Sequence, residues 1–459
     1  MSLYLKSDLN DTICALATAG GVGAIGIIRV SGTDAIKMVN ATFKGKNLEK
    51  QNTHTVHFGK IMDESVVLDE VLATLFVSPK SYTGENTVEL SCHGSPFIQQ
   101  KILQLLVKQG ARMAKPGEFT LRAFLNKKLD LSQAEAVADL IASHSESSHQ
   151  TAMQQMRGGF SLQIAALRER LVNFASLIEL ELDFGEEDVE FAKRDDLQRT
   201  VREILMVVTD LSASFKYGNA IKNGIPTVIV GKPNAGKSTL LNALVHEERA
   251  IVSDIAGTTR DTIEEAFVID GITFRLIDTA GIRAHTTDTI ESIGIERTFE
   301  KINQASIIIY LFDASTTTEA ELEQELRQFE SSKATVIAVA NKVDLLKEIP
   351  TTLQLHKNLI QMSSLQKTGL YDLTKRLKDL IDSDTIKSDV VVSNVRHYEA
   401  LLLTAESLTS VLESMKMQQS GELLAFDIRK AIYHLGEIVG EITTDDLLTN
   451  IFSKFCIGK

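Results

Sequence analysis

The sequence predicts a multidomain α/β protein: an N-terminal α+β domain, a discontinuous all-helical domain and an α/β domain inserted into the helical one. Three changes of pattern along the 459 residues support this prediction. Short β-like runs come first, long helical repeats follow, and strands then alternate with helices before helical spacing returns. We expect domain boundaries at 1–123, 124–222, 223–382 and 383–459.

The N-terminal segment contains short apolar runs separated by turn residues. Ala24–Val30, Val71–Val77 and Thr87–Cys92 predict strands, and Pro96–Gln109 predicts a helix because its apolar residues recur at helical spacing. Glycines at 21, 23 and 26 match the dinucleotide pattern GxGxxG, but they run directly into a strand. That pattern needs a following helix, so we expect a glycine-rich turn and no nicotinamide or flavin site.

The second segment is helical, because residues 130–218 contain no proline and apolar residues recur every three or four positions. One such stripe consists of Leu167, Leu171, Phe174, Leu177, Ile178 and Leu182. The third segment alternates strands and helices, which predicts a mostly parallel sheet with helices on both faces. Its predicted strands are Thr227–Val230, Thr273–Ile277, Ser306–Phe312, Thr335–Ala340 and Leu359–Met362. Helical spacing without strands returns from about Val395.

Composition narrows the class of function. The net charge of −13 argues against non-specific coating of nucleic acid, which depends on Lys and Arg displacing counterions. The three cysteines, Cys14, Cys92 and Cys456, are far apart and form no CxxC pair, which fits a reducing cytoplasm. No run is apolar for the ~20 residues that a membrane span needs, and no signal peptide is visible, so we expect a cytoplasmic protein.

A phosphate-binding motif, GxxxxGK[ST], spans Gly231–Ser238, between the strand-like TVIV and the helix-like STLLNALV. Its backbone N–H groups and the helix N-terminus suit phosphates. Lys237 is expected to reach the β- and γ-phosphates, and the Ser238 hydroxyl to ligate Mg²⁺.

Two further segments have the spacing of nucleotide switches. Asp278-Thr279-Ala280-Gly281 follows a strand, where a carboxylate can hold the Mg²⁺ shell through water and Gly281 can sense the γ-phosphate. In the segment 253–261, a Thr hydroxyl can complete the Mg²⁺ shell; we favour Thr259, with Thr258 as the alternative.

The base is predicted to be guanine. Asn341-Lys342-Val343-Asp344 ends a strand, and an Asp there can accept two hydrogen bonds from guanine N1–H and its amine, which adenine does not offer. Ser363-Ser364-Leu365 follows the next strand and would supply a backbone contact to the guanine oxygen. These motifs define the inserted domain as a Ras-like P-loop G domain.

Two groups that usually promote GTP hydrolysis are not evident in the sequence. Ile282 occupies the position where Ras-like enzymes place a water-orienting Gln, and no arginine finger is evident. The Asn234 side chain could instead hold a monovalent cation near the phosphates, together with carbonyls of the 253–258 loop.

The chain resembles the MnmE (TrmE) family of tRNA-modification GTPases over its whole length. GKPNAGKSTLLN, DIAGTTRD, DTAGIR and ESIGIER resemble its G domain, KPGEFTLRAFLNKKLDLSQAEAVADLI at 115–141 its N-domain junction, and the terminal FCIGK its C-terminal motif. The implied GTP-binding residues are Asn234, Ala235, Gly236, Lys237, Ser238, Thr239, Ser253, Asp254, Ile255, Ala256, Gly257, Thr258, Thr259, Asp278, Thr279, Ala280, Gly281, Asn341, Lys342, Asp344, Ser363, Ser364 and Leu365.

The resemblance also implies metals and a catalytic residue. The K⁺ ligands would be Asn234, Ser253, Ile255 and Thr258, and the Mg²⁺ ligands Ser238 and Thr259. The family's catalytic carboxylate maps to Glu291, which would orient the attacking water; Glu296 is the other candidate, because the preceding loop varies in length.

By the same resemblance, the N-terminal domain dimerises and binds a 5-formyltetrahydrofolate-type one-carbon donor. The matching residues are Arg29, Glu89, Lys128 and Lys459, whose charges suit folate carboxylates and pterin amines. For Cys456, we favour a structural or assisting role over that of a nucleophile.

The family works with the flavoprotein MnmG, with which the homodimer would form a heterotetramer, and together they install a carboxymethylaminomethyl-type group at C5 of the tRNA wobble uridine. The alternative hypothesis is a GTP-dependent regulatory switch, for example in ribosome assembly, without modification chemistry. The N-terminal charged residues and the FCIGK tail distinguish the two, since a switch alone has no need of them.

Overall fold

The computed structural model describes residues 11–183, 193–247, 266–277, 304–330, 332–346, 359–380 and 390–459. The chain forms two compact units. The first comprises Met1–Ile141, Met153–Leu205 and Leu403–Lys459, and the second Ala142–Ala152 and Met206–Leu402.

The first unit contains a seven-stranded sheet with the strand order β3-β4-β5-β6-β2-β1-β7. Neighbouring strands are antiparallel except β1 and β7, which run parallel. The strands are β1 (Ile13–Leu16), β2 (Ile25–Ser31), β3 (Phe43–Lys44), β4 (Thr55–Asp63), β5 (Val66–Phe76), β6 (Thr87–His93) and β7 (Arg112–Met113).

One face of this sheet is covered by helices α1 (Ala35–Thr42) and α2 (Pro96–Lys108). Strand side chains alternate between faces, so every second residue of β2 and β6 enters the core. Cys14 and Cys92 are buried there as free thiols, and burial raises the pKa of Cys14 to about 11.

The glycine-rich segment is a turn that leads into a strand, as expected. Gly23 N donates to Gly94 O at 3.0 Å, and Gly94 N donates to Ala24 O at 3.2 Å. The strand β2 follows immediately, so the turn does not lead into a helix as the dinucleotide pattern requires.

Helices make up most of the remaining first unit. They include α3 (Glu118–Leu125), α4 (Leu131–Ile141), α6 (Gly159–Asp183), α12 (Gly421–Val439) and α13 (Asp445–Phe452). Three more helices have residues in both units: α5 (Glu146–Met156), α7 (Arg194–Asn223) and α11 (Val395–Lys416). Helix α6 packs along α12. The predicted stripe is buried at Leu167, Leu171 and Ile178, but Leu182 near the end of α6 is 40% exposed. In the described part of the chain, no helix combines the length and apolar character required to cross a membrane.

The second unit contains a six-stranded sheet with the order β13-β12-β11-β8-β10-β9. Its strands are β8 (Ile225–Val230), β9 (Ala266–Ile269), β10 (Ile272–Leu276), β11 (Ile307–Asp313), β12 (Thr335–Asn341) and β13 (Leu359–Gln361). All pairings are parallel except that of β9 with β10. The five predicted strands are confirmed, and β9 is an addition to them.

Helices lie on both faces of this sheet: α8 (Lys237–Glu247) and α10 (Leu370–Asp379) on one, α9 (Glu319–Arg327) on the other. Helices are needed on both faces because strand β11 is apolar on both sides. Ile307, Ile309 and Leu311 pack toward α8 and α10, whereas Ile308, Tyr310 and Phe312 pack toward α9. A strand buried on both faces is typical of a parallel α/β sheet, and the predicted fold class is confirmed.

Candidate nucleotide site and N-terminal charged site

The phosphate-binding loop connects β8 to α8. Parallel strands place their carboxyl ends at one edge of the sheet, so the loop lies beside the ends of β11 and β12. Gly236 requires its glycine, because it adopts φ +100° and a Cβ there would lie 2.3 Å from Asn341 Nδ2. Leu240 N donates to Gly236 O at 2.9 Å, which makes the loop continuous with the first turn of α8.

Lys237 lies at the start of α8 with its ammonium group turned onto the loop. Nζ donates to Gly231 O at 2.7 Å and to Lys232 O at 3.0 Å. Burial lowers the pKa of Lys237, because desolvation disfavours the ammonium ion. A phosphate in the loop offers this cation an anionic partner, which carbonyl oxygens do not.

Asn341 joins the phosphate-binding loop to the predicted base-binding loop. Its Nδ2 donates to Ala235 O at 2.8 Å, and its Oδ1 accepts from Ser364 N at 2.9 Å and from Ser364 Oγ at 3.0 Å. Asn341 is only 2% exposed. Three sequence motifs, far apart in the chain, thus meet at one side chain.

The remaining base-site residues lie at the same edge. Lys342 has a left-handed backbone with φ 64°, and Asp344 follows it in a short 3₁₀-helix with an exposed side chain. Ser363 N donates to Thr368 O at 3.0 Å, which shapes the loop, and Leu365 is exposed. The exposed Asp344 carboxylate beside this loop can accept hydrogen bonds from the edge of a base that enters from solvent.

The Lys342 ammonium is held by Asp313, a residue that the sequence did not single out. Lys342 Nζ lies 2.7 Å from Asp313 Oδ2 at the end of β11. Asp313 lies outside the recognised motifs, so only the strand pairing reveals that it lies opposite Asn341.

The predicted metal residues in the described part of the loop offer oxygen atoms. Asn234 has φ 67° and an exposed side chain, Ser238 is half-buried in the first turn of α8, and Thr239 is exposed beside it. Amide and hydroxyl oxygens are ligands that Mg²⁺ and K⁺ accept, so the donor chemistry fits both ions. The other predicted switch and metal residues, 253–259 and 278–281, lie outside the described residues, as do Ile282, Glu291 and Glu296.

Three of the four predicted folate residues come together at the N-terminal sheet. Arg29 and Glu89 are cross-strand neighbours on β2 and β6, with Arg29 Nε 2.9 Å from Glu89 Oε1. Arg29 Nη1 donates to Gly458 O at 3.3 Å, which brings the C-terminal tail to the pair. Burial, with Arg29 adding, lowers the pKa of Lys459, while the nearby Cys456 and Glu89 oppose this shift.

Aromatic rings flank Arg29, and the sequence analysis missed them. Its guanidinium carbon lies 5.5 Å from the ring centroids of both Tyr82 and Phe119. Phe119 N also donates to Lys459 O at 3.2 Å. Their distance along the chain from Arg29 explains why spacing could not reveal them.

The fourth predicted folate residue has a different neighbour. Lys128 is exposed, and its Nζ donates to Pro79 O at 3.2 Å. Cys456 is an exposed free thiol whose backbone carbonyl accepts from Gly117 N at 3.3 Å. The tail is therefore held through its backbone, and the thiol stays accessible.

A partly buried ion network lies beside the residues that bind the tail. Arg122 donates to Glu118 Oε1 at 3.0 Å and to Asp11 Oδ1 at 2.8 Å, and Arg112 donates to the same two carboxylates at 2.7 Å each. Although burial acts to raise the pKa of Glu118, hydrogen bonds from Arg112 and Lys115 N outweigh it, and the pKa lies below its ordinary value.

The sheet order, the loop between β8 and α8 and the Asn341 bridge to the NKVD and SSL motifs define the second unit as a P-loop GTP-binding domain. A family model described as "GTP-binding protein TrmE N-terminus" matches residues 12–128, and one described as "MnmE helical domain" matches residues 131–456. The chain belongs to the MnmE (TrmE) family, and it is a GTPase.

Curated relatives match along their whole length. The tRNA modification GTPase MnmE of Cytophaga hutchinsonii is 55% identical over 461 residues, with 100% of both chains covered. That of Flavobacterium johnsoniae is 54% identical, covering 98% of this chain and 99% of its own. A solved structure of Era with MgGDPNP and a 16S ribosomal RNA segment is 19% identical, covers 50% of this chain and 99% of that one, and has a TM-score of 0.27.

Proposed function

We propose that this GTPase of tRNA modification is activated by K⁺ and acts with a MnmG-type flavoprotein to install a carboxymethylaminomethyl-type group at C5 of the wobble uridine. The observation that supports the proposal is that one chain brings together two clusters of polar side chains with different chemistry. Asn341 joins the loops of a nucleotide site, and Arg29 joins N-terminal strands to the C-terminal tail. A regulatory switch without modification chemistry has no use for the second site.

In the proposed GTP site, backbone N–H groups of residues 234–239 hold the phosphates. Lys237 leaves the carbonyls of Gly231 and Lys232 for the β- and γ-phosphates, and the Ser238 hydroxyl ligates Mg²⁺. Asp344 accepts from the guanine edge, with Ser364 fixed beside it through Asn341.

Hydrolysis is proposed to depend on a monovalent cation and a carboxylate. Asn234 would hold K⁺ with Ser253, Ile255 and Thr258, where the ion supplies the positive charge that an arginine finger brings elsewhere. Glu291 would orient the attacking water, and Thr259 would join Ser238 on Mg²⁺. Dimerisation of two G domains across the nucleotides would couple hydrolysis to their closure and reopening.

The second site is proposed to bind a 5-formyltetrahydrofolate-type donor. Arg29 and Lys459 offer cations to folate carboxylates, and Glu89 offers an acceptor to pterin amines. Lys128 would join them only if its side chain leaves Pro79 O.

We place the complex in the cytoplasm as a homodimer bound to MnmG and tRNA. The net charge of −13 supports tRNA binding together with the partner, because an acidic chain attracts RNA weakly by itself.

The cation requirement can be tested by measuring GTP hydrolysis at equal ionic strength in KCl and NaCl. We expect hydrolysis to be fast in KCl and slow in NaCl, because Na⁺ is too small for a site built for K⁺. Equal rates in both salts would remove K⁺ from the proposal.

The catalytic carboxylate can be tested with Glu291→Ala, using Glu296→Ala as the matched control. We expect the first variant to keep its GDP affinity and lose most turnover, roughly 10²-fold or more, as for loss of a water-orienting group. If only Glu296→Ala loses turnover, the role moves to that residue.

A further inference from the structure

Asp313 occupies a constrained position at the end of β11. Its Oδ2 lies 2.7 Å from Lys342 Nζ, and its Oδ1 accepts from Ser315 N at 2.9 Å and from Ser315 Oγ at 2.6 Å. The side chains of Asp313 and Lys342 are only 18% and 31% exposed. Both carboxylate oxygens are therefore engaged, and the group has a fixed direction.

The sheet order shows where the Lys342 side chain runs. Strand β11 lies between β12, which carries Lys342 at its end, and β8, which leads into the phosphate-binding loop. A bond from Lys342 to Asp313 thus directs the four-carbon stem along the edge of the sheet toward that loop. The backbone is tied at the same point, since Ala314 N donates to Asn341 O at 2.9 Å.

We propose that Asp313 is a positioning residue of the guanine subsite, which holds Lys342 so that its alkyl stem forms the surface on which the plane of the base rests. Asp344 then meets the edge of the base while Lys342 supports its face. This inference rests on the assignment of the guanine site to Asn341, Lys342 and Asp344 made above.

Electrostatics support an ion pair between the two groups. Burial acts to raise the pKa of Asp313, but the hydrogen bonds from Lys342 and Ser315 outweigh it, and the pKa lies below its ordinary value. The carboxylate is therefore ionised throughout the neutral range. Because Ser315 already orders Asp313, less side-chain entropy is lost than in an ordinary surface ion pair.

The experiment is a titration of the full-length protein with a fluorescent GDP analogue, together with steady-state GTP hydrolysis. Asp313→Asn keeps the shape of the side chain and removes its charge. We expect the Kd for GDP and the KM for GTP to rise about fivefold to tenfold, the loss expected for one charge-assisted contact, with kcat unchanged. Lys342→Met should have the same effect, and combining the two substitutions should add nothing further.

Asp270→Asn is the matched control, because it removes another Asp–Lys pair of the same domain, with Lys378, at the β9–β10 turn. Competition by inorganic triphosphate, which has no base, should be equal in the Asp313→Asn and unsubstituted proteins. GDP affinity of Asp313→Asn within twofold of the unsubstituted protein, an equal loss in Asp270→Asn, or an equal loss of triphosphate binding would each overturn the inference.

Asp344→Ala separates the inference from the site on which it rests. If Asp344→Ala loses GDP affinity and Asp313→Asn does not, only the positioning role is wrong. If Asp344→Ala binds GDP normally, the guanine site is wrong and this inference fails with it.

Discussion

Asn341→Asp is the substitution that most sharply tests the link between the two loops of the nucleotide site. It replaces the donor Nδ2, which lies 2.8 Å from Ala235 O, by an acceptor oxygen. The bonds that Oδ1 accepts from Ser364 N and Oγ remain possible. The variant therefore leaves the size of the side chain unaltered, but it turns the Ala235 contact into one between two acceptors and adds a carboxylate charge at a buried position.

The expected loss follows from burial. One hydrogen bond contributes about 1 kcal/mol, and leaving the Ala235 carbonyl unpaired against another acceptor costs about 2 kcal/mol more at this buried position. A total of about 3 kcal/mol corresponds to a loss of roughly a hundredfold in nucleotide affinity. This free-energy loss destabilises the phosphate-binding loop, which must hold the phosphates.

The assay is equilibrium titration with fluorescent GDP, with circular dichroism to confirm that each variant is folded. Ser364→Ala is the control, since it removes only the Oγ contact and leaves Ser364 N bonded to Asn341; we expect a loss of about fivefold. GDP affinity of Asn341→Asp within threefold of the unsubstituted protein would refute the argument that this bond holds the loop.

Three further predictions concern the first unit. Arg122→Met leaves the 1%-exposed carboxylate of Glu118 without one of its partners, so we expect urea denaturation to show a loss of about 3–5 kcal/mol; an unchanged midpoint would contradict this. The pKa values of Glu118 and Asp11 lie below their ordinary 4.5 and 3.8, so the unfolded chain binds more protons. The stability that these two carboxylates contribute should thus be complete above about pH 4.5 and fall as the pH drops toward their pKa values in the folded protein. An increase in stability as the pH drops over this range would contradict the prediction. Gly458→Ala places a Cβ 2.2 Å from Leu16 O, which must displace the tail; binding of a 5-formyltetrahydrofolate-type ligand should weaken at least tenfold while GTPase activity is retained, and unchanged ligand binding would exclude a role for the tail.

Local patterns accounted for much of the second unit. The strands β8, β10, β11, β12 and β13 were predictable because each is a short apolar run bounded by turn residues. Strand β9 was missed, although the Asp270-Gly271 pair that follows it is a strong hairpin signal.

Long-range contacts account for what the sequence could not reveal. The phosphate-binding motif was recognisable from eight adjacent residues, but its link to Asn341 spans 106 positions and the Arg29–Gly458 bond spans 429. Asp313 and Tyr82 belong to no motif, and Phe119 was part of the 115–141 segment without a role in the site. Only strand pairing and packing bring these three residues to the sites. Site residues were thus predictable where function requires a pattern of adjacent residues. They were not predictable where only folding brings distant parts of the chain into contact.

Nucleoside analysis of tRNA tests the central claim most directly. A strain lacking this chain should be compared with the same strain carrying the unsubstituted protein or Asn341→Asp. We predict that the C5 modification of the wobble uridine disappears in the deletion strain, returns with the unsubstituted protein and stays low with the variant. An unchanged content of the modified nucleoside in the deletion strain would contradict the account.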